Sequence, residues 1–565
     1  ALAAVGFSKA QLRTQCGIVT TSIGPGATNV VTAAGVAMAN RLPLLILSGD
    51  TFQSRRPDPV LQQVEHFDSP TTTVNDSFKS VTRYWDRITS PEQLLNTLPA
   101  AIQTLLDPAD CGPVFLGFPQ DVQVETFDFP DEFFKDVVHE IKRLRVDSKS
   151  LSDAASAIKK SKKPLIIAGG GVRYSKAHKE LSHFANLFEI PVVETVAGKA
   201  SLLATDPSWC GPVGVTGCDP ANLLAEEADL IISIGTRLQD FTTGSWTLFK
   251  NPIRKIISIN TARFDATKRN AIALTGDAKE TILELENQLA GYKTDQNWSA
   301  KRSTTQASVK NNIKSRVAEK LDLPSYAQVV VAINEVATAS DYVLTAAGGL
   351  PGELNNNWLS KSIDSFDCEY GYSCMGYEIA AGLGVARADS SRTPVVMMGD
   401  GSYLMMHTEL VTAVAEGLKF IVVLVQNHGF ASIGHLSEDI GSQRFGTKYR
   451  FRDKGGNNHE TGDVLPVDLA TNAESLGMHV IRIAETANAI ADLSAAMKVA
   501  KAHPTATLIH INSDPLLYAP GGEAWWEVPI PAVSTLESTQ KAYAHYSEAR
   551  KAQKKYLGKG SSERN

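Results

Sequence analysis

One motif limits the fold of this chain more than any other feature: a short, continuous apolar run, a glycine turn, then a helical stretch, repeated along the sequence. Residues 16–21 read as a strand, the turn Ile23-Gly24-Pro25-Gly26 follows, and 27–40 reads as a helix of small residues. Strands at 44–48 and 114–117 continue the series. A second block has strands at 164–168, 191–195, 230–234 and 255–259 and closes near Gly276-Asp277-Ala278. A third has them at 342–345, 394–398, 420–426, 479–482 and 506–511. Strands that are apolar throughout, rather than at every second residue, belong in parallel sheets covered by helices on both faces. The expected fold is therefore α/β, with three doubly wound parallel-sheet domains.

The expected boundaries are 1–140, 150–292 and 318–520, followed by a tail over 521–565. The charged stretch 131–149 and the polar stretch 294–314 read as linkers, and the tail from Trp525 as a surface helix with a frayed end. A chain of 565 residues suits three to four domains and can bury full cores without staples. Its net charge of -6 argues against a nucleic-acid partner held by phosphate neutralisation. No basic run suits a membrane surface, and the longest apolar runs, such as 420–425, are too short to cross one. The cysteines Cys16, Cys111, Cys210, Cys218, Cys368 and Cys374 include no C-x-x-C pair. They read as buried or idle thiols in a reducing compartment. The first ten residues carry no signal-peptide pattern and no initiator Met, so the chain reads as starting inside a longer protein.

The strongest chemical signal lies in the third block. The strand ending at Met398 runs into Gly399-Asp400-Gly401-Ser402, a helix is expected over 403–418, and the next strand ends in Asn427-His428-Gly429. A right-handed βαβ crossover puts both strand ends on one edge of the sheet, so Asp400 and Asn427 should lie side by side where open α/β sheets bind ligands. A carboxylate, an amide oxygen and a backbone carbonyl are hard oxygen ligands that suit Mg2+, with phosphate and water completing the octahedron. The glycines admit a diphosphate close to the backbone, and the helix start adds its positive end. A ligand-free Gly-Asp-Gly turn is the competing reading, and the strand–helix–strand spacing argues against it.

These residues resemble the magnesium–diphosphate motif of the thiamine diphosphate enzyme superfamily. That superfamily often has two asparagines where this chain has Gln426-Asn427. The resemblance implies Asp400, Asn427 and the carbonyl of Gly429 as Mg2+ ligands. Residues 21–29 resemble the Gly-Pro-Gly loop of its pyrimidine-binding domain, and 164–171 the start of its central domain. Ser373-Cys374-Met375-Gly376-Tyr377 resembles the segment that bends the cofactor, with Met375 as the apolar wedge. The resemblance spans essentially the whole chain and implies thiamine diphosphate and Mg2+ as cofactors. The implied cofactor-binding residues are Gly24, Gly26, Gly349, Leu350, Ser373, Met375, Gly399, Gly401, Ser402 and Gly429. A homodimer or homotetramer with sites between subunits is also implied.

Further blocks, at 57–65, 83–87, 346–352, 405–410, 429–434 and 441–447, resemble one branch of the superfamily. Its members are hydrolases that cleave a C–C bond of a small cyclic polyol dione in inositol breakdown, and the resemblance implies that reaction in a cytoplasmic setting. The superfamily also uses a glutamate to activate the cofactor's pyrimidine ring. By register it falls before Ala1, so no residue here is given that role, and Glu65 and Glu409 fall elsewhere. Candidates to handle substrate or protons are His66, His407, His428, Gln62 and Gln63, with ordinary surface or core histidine the rival reading for His66 and His407. Arg55, Arg56 and Arg444 read as solvated surface arginines, with a grip on polar substrate groups as the alternative. A carboligase or decarboxylase like acetolactate synthase, and a catalytically dead scaffold, are the competing functions. Gly169-Gly170-Gly171 lacks the G-x-G-x-x-G spacing, which argues against an NAD-dependent dehydrogenase.

Overall fold

The computed structural model describes residues 1–57, 60–64, 66–452, 461–514, 516 and 524–554. It contains three sheets, all parallel. The chain divides into two compact units, one of residues 1–142 with 371–390, the other of 143–370 with 391–565.

The first unit holds a four-stranded sheet of β1 (Gly17–Thr21), β2 (Leu44–Asp50), β3 (Tyr84–Arg87) and β4 (Pro113–Pro119), in the order β1-β2-β4-β3. Arg87 ties its carboxyl edge together, donating to the buried Asp50 at 2.7 Å and to Asp76 at 2.9 Å. The helix Leu2–Ala10 packs on the helix Tyr377–Ala388. Small residues make this possible: a Cβ on Gly384 would lie 2.1 Å from the carbonyl oxygen of Ala3. The edge strand β1 pairs with β2 on one side and leaves Ile18 64% exposed.

The second unit holds two six-stranded sheets. One comprises β5 (Pro164–Ala168), β6 (Val192–Glu194), β7 (Trp209–Pro212), β8 (Leu230–Ile234), β9 (Lys255–Asn260) and β10 (Ile272–Thr275), in the order β10-β9-β8-β5-β6-β7. The other comprises β11 (Asp341–Thr345), β12 (Phe366–Cys368), β13 (Thr393–Gly399), β14 (Ile421–Gln426), β15 (His479–Arg482) and β16 (Thr507–Asn512), in the order β12-β11-β13-β14-β16-β15. The central strands β5, β8, β11 and β14 are buried at every residue, as helix cover on both faces requires. The buried Arg173 reaches Asp364 at 2.9 Å and ties the helix after β5 to the loop before β12.

Several expectations need correction. The stretch 294–314 is no linker: Gln296–Val317 is a helix that buries Trp298, Val309 and Ile313. Its apolar residues are sparse, but Trp298 donates its indole N–H to the Pro164 carbonyl at 2.7 Å and anchors the helix on the second sheet. The expected helix 403–418 is broken into Asp400–Met405 and Glu409–Ala415, because the backbone leaves the helical region at Met406 (φ -157, ψ 72). The helix expected over 27–40 is likewise two, Pro25–Thr28 and Val31–Asn40. The tail does carry a helix, Glu537–Ala552, against which Trp525 packs. All six cysteines are free, and burial pushes the Cys16 thiol up to about 12 and Cys111 to about 11. Among the described residues no helix is long and apolar enough to cross a membrane.

Candidate active site

The parallel pairing of β13 with β14 sets Gly399 opposite Val425, so the chain leaves both strands at the same level of the carboxyl edge. Asp400 follows one strand and Asn427 the other, which makes them neighbours. The Asp400 carboxylate collects three backbone N–H groups: Gly401 donates to Oδ1 at 3.0 Å, and Asn427 and Gly429 each donate to Oδ2 at 3.2 Å. Asp400 is 1% exposed. Burial pushes its pKa up to about 6, and the three amides pull against that shift. A buried carboxylate of this kind gains from a nearby cation.

Asn427 completes the picture. Its Nδ2 donates to the Tyr326 hydroxyl at 2.5 Å, while its Oδ1 is buried with no hydrogen-bond partner. An unpaired buried amide oxygen is costly unless something outside the chain satisfies it. Beside Gly399 the nearest atoms to a Cβ would be 3.9 Å away, so this flank of the loop is open. A hard dication with a diphosphate fits these donors: one carboxylate, one free amide oxygen and a glycine-lined backbone.

His428 sits between these residues with a left-handed backbone (φ 58). Its Nδ1 accepts from Gln426 Nε2 at 3.1 Å, and Gln426 Oε1 accepts from His510 Nε2 at 2.8 Å. With the Gln426 amide N–H turned to Nδ1, a neutral His428 ring carries its proton on Nε2. Burial holds both imidazoles below the ordinary histidine value. Ser402 is buried in the helix after Asp400, and Gly349 precedes Leu350, the first residue of the helix Leu350–Asn357. His407 is half-buried, its ring stacked on Tyr403 at 5.2 Å and its Nδ1 buried without a partner. Glu409 opens the next helix and accepts from Thr412. Arg444 is not a solvated surface arginine: it is 8% exposed and grips Glu438 through two bonds of 2.6 and 2.8 Å.

The other candidates lie on the first unit. Gly24 has φ 73, and a Cβ there would sit 1.8 Å from the Gln62 carbonyl oxygen, so glycine is what lets the 60–64 loop close over this turn. Gly26 lies in the short helix Pro25–Thr28. Gln62, His66, Arg55 and Arg56 are exposed, whereas both amide atoms of Gln63 are buried without partners. Ser373 is exposed with φ 56, and Met375 is half-buried just before the helix Tyr377–Ala388. Asp58, Pro59 and Glu65 of the block 57–65 lie outside the described residues.

Two tyrosines at the site escape a reading of the sequence. Tyr326 lies 101 residues before Asn427. Tyr449 carries a buried hydroxyl without a hydrogen bond, and burial together with the Asp400 charge raises its pKa. Neither stands in a recognisable pattern, so no sequence signal marks them.

Family models match part of each sheet's chain segment: a thiamine pyrophosphate enzyme N-terminal TPP binding domain over 1–69, a central domain over 151–285 and a C-terminal TPP binding domain over 347–511. Together with the diphosphate-ready loop, these matches define a thiamine pyrophosphate enzyme. A relative from Clostridium botulinum (strain Alaska E43 / Type E3), named 3D-(3,5/4)-trihydroxycyclohexane-1,2-dione hydrolase, is 40% identical, covering 98% of this chain and 89% of its own. A Bacillus cereus protein of that name, numbered 2, is 40% identical over 96% of this chain and 87% of its own. One from Geobacillus thermodenitrificans (strain NG80-2) is 39% identical over 98% and 89%. The chain belongs to the family of the trihydroxycyclohexane-1,2-dione hydrolases.

Proposed function

We propose that this chain is a thiamine diphosphate- and Mg2+-dependent hydrolase that opens a polyhydroxylated cyclohexane-1,2-dione at the bond between its two carbonyl carbons. The observation that carries the proposal is 40% identity over 98% of the chain to a relative named for hydrolysis of that dione. Asp400, Asn427 Oδ1 and the Gly429 carbonyl would hold the cation, with Gly399, Gly401 and Ser402 lining the diphosphate and Gly349 and Leu350 beside it. Gly24, Gly26, Ser373 and Met375, in the first unit, are cofactor-binding candidates by the resemblance to the superfamily. Thiamine diphosphate supplies a carbon nucleophile and an electron sink for cleavage next to a carbonyl.

The overall reaction balances with one water. The C–C bond breaks, one former carbonyl carbon gains hydroxyl and becomes the acid, and the other gains hydrogen and becomes the aldehyde. The product is a linear deoxy-hexuronic acid, 5-deoxy-glucuronate, and no carbon leaves because the ring tethers both fragments. Such a reaction belongs to inositol catabolism in the cytoplasm. His428 would present its Nε2–H as a donor, and the partnerless Nδ1 of His407 and amide of Gln63 are the groups suited to polar substrate atoms. The glutamate that activates the pyrimidine is assigned to no residue described here.

The test is to supply protein, thiamine diphosphate and Mg2+ with the dione and follow carbon by NMR. Ring-opened acid without CO2 is expected. An untouched dione together with CO2 released from pyruvate would replace this reading with the carboligase.

A further inference from the structure

We infer that Tyr326 is a positioning residue for the cation: its hydroxyl oxygen accepts the Asn427 Nδ2–H and thereby supports that amide with Oδ1 turned to the metal. The inference rests on the proposal that Asn427 is a cation ligand.

An asparagine side chain has two nearly isosteric ends, and only one can bind a cation. With Oδ1 inward, the amide offers a lone pair. Turned over, it would aim two N–H groups at a positive charge. Rotation about the terminal bond of asparagine is broad, so the backbone alone does not choose between the two orientations. A phenol can serve either end of the amide, but when Oδ1 binds a cation Tyr326 is the partner that satisfies the Nδ2–H left behind. Nδ2 is bonded to its hydroxyl at 2.5 Å, and Oδ1 is left buried and unsatisfied on the other side. Both side chains are nearly inaccessible, at 4% for Tyr326 and 8% for Asn427, so water is a poor substitute partner.

Tyr326 is itself held firmly. It is the first residue of the helix Tyr326–Val336, where Ser325 forms a capping box with Gln328. The preceding Pro324 carbonyl accepts from Asp514 N at 3.0 Å, just beyond β16, and β16 is paired along its length with β14, the strand that ends beside Asn427. The helix start that carries the phenol is therefore tied to the strand beside the one that leads to the amide. Partners that orient a metal ligand commonly matter by one to two orders of magnitude in metal affinity.

The experiment measures Mn2+ binding by electron paramagnetic resonance in the presence of saturating thiamine diphosphate. Wild type is compared with Tyr326→Phe, Tyr326→Met, Asn427→Ala, Asn427→Asp and the double variant Tyr326→Phe/Asn427→Asp, each checked for its thermal melt. Tyr326→Phe should weaken Mn2+ binding about tenfold with a melt close to wild type. In the Asn427→Asp background the same change should matter less than about twofold, because the carboxylate has no N–H for the hydroxyl to accept and holds the cation by charge. A purely structural role would weaken binding equally in both backgrounds and would overturn the inference. So would wild-type affinity in both Tyr326 variants while Asn427→Ala binds poorly. If Asn427→Ala binds Mn2+ like wild type, the ligand assignment itself fails and the inference falls with it.

Discussion

Asp400 is buried among three amide hydrogens, and that environment decides how it will respond to change. Asp400→Ala removes the only carboxylate the loop offers to a cation. Thiamine diphosphate binding, followed by fluorescence titration with Mg2+ present, should fall at least about a hundredfold, since the diphosphate would lose its bridging charge. Retention of stoichiometric cofactor by this variant would refute the ligand assignment. Gly24 makes a second residue-level prediction. With φ 73 and a would-be Cβ 1.8 Å from the Gln62 carbonyl, Gly24→Ala should cost about 1–3 kcal/mol and loosen the 60–64 loop. A denaturant melt and the rate of proteolysis near Gln62 would measure both effects. Asp400 and Asn427 were legible in the sequence because each follows a buried strand that announces itself, and the crossover rule brings two such ends together. Tyr326 was not legible, since nothing in its own neighbourhood says that its hydroxyl meets a side chain 101 residues away. Arg444 misled for a related reason: its ion pair with Glu438 spans a loop, where no helical or strand period predicts a partner.

Among the elements, the four strands that composition did not reveal are β3, β7, β10 and β12, and each lies at the edge of its sheet. These four are three or four residues long, too short for a period to show. Interior strands are covered on both faces and are therefore written as unbroken apolar runs. The helix Gln296–Val317 was hidden differently, because its exposed face is rich in Lys, Ser and Asn and its burial depends on a few anchors. Trp298→Ala should cost about 3–5 kcal/mol by chemical denaturation. Val138→Ala, in the stretch that does read as a linker and is 97% exposed there, should change stability by less than about 0.5 kcal/mol. Comparable losses would mean that the helix is not anchored. The third sheet also sets a pH response. Burial holds His510 below its ordinary value of 6.5; neighbouring Asp468 and Glu485 pull it up, and Arg482 and His428 push it down. Because the folded pKa is the lower one, the unfolded chain takes up a proton first as pH falls through that value. Stability should therefore be flat above it and decline below. His510→Gln keeps a donor for Gln426 and should flatten the decline in melting temperature between roughly pH 7.5 and pH 5.5. An unchanged slope would show that His510 does not contribute.

At the scale of the whole molecule, the helices that follow Asp400 leave apolar side chains in solvent: Met405 is 56% exposed, Val411 49% and Val414 41%, and Ile433 beyond the second loop 51%. Exposed apolar side chains on the elements that leave the Asp400 and Asn427 loops are candidates for an interface with another chain. A second copy of this chain is the proposed cover, which would place the cofactor loops at a subunit boundary and make cofactor binding depend on assembly. The prediction is that the protein sediments as a dimer or tetramer, and that its affinity for thiamine diphosphate falls on dilution below the dissociation constant of the assembly. Val411→Glu/Val414→Glu puts two charges on the outer face of Glu409–Ala415 without touching Asp400 or Asn427. It should shift the sedimentation profile to monomer and weaken cofactor binding at micromolar protein, with partial recovery at high concentration. A wild type that is monomeric at all concentrations yet binds cofactor at full strength would show that the exposed face serves another purpose. A monomeric variant with undiminished cofactor affinity would show that each copy completes its own site.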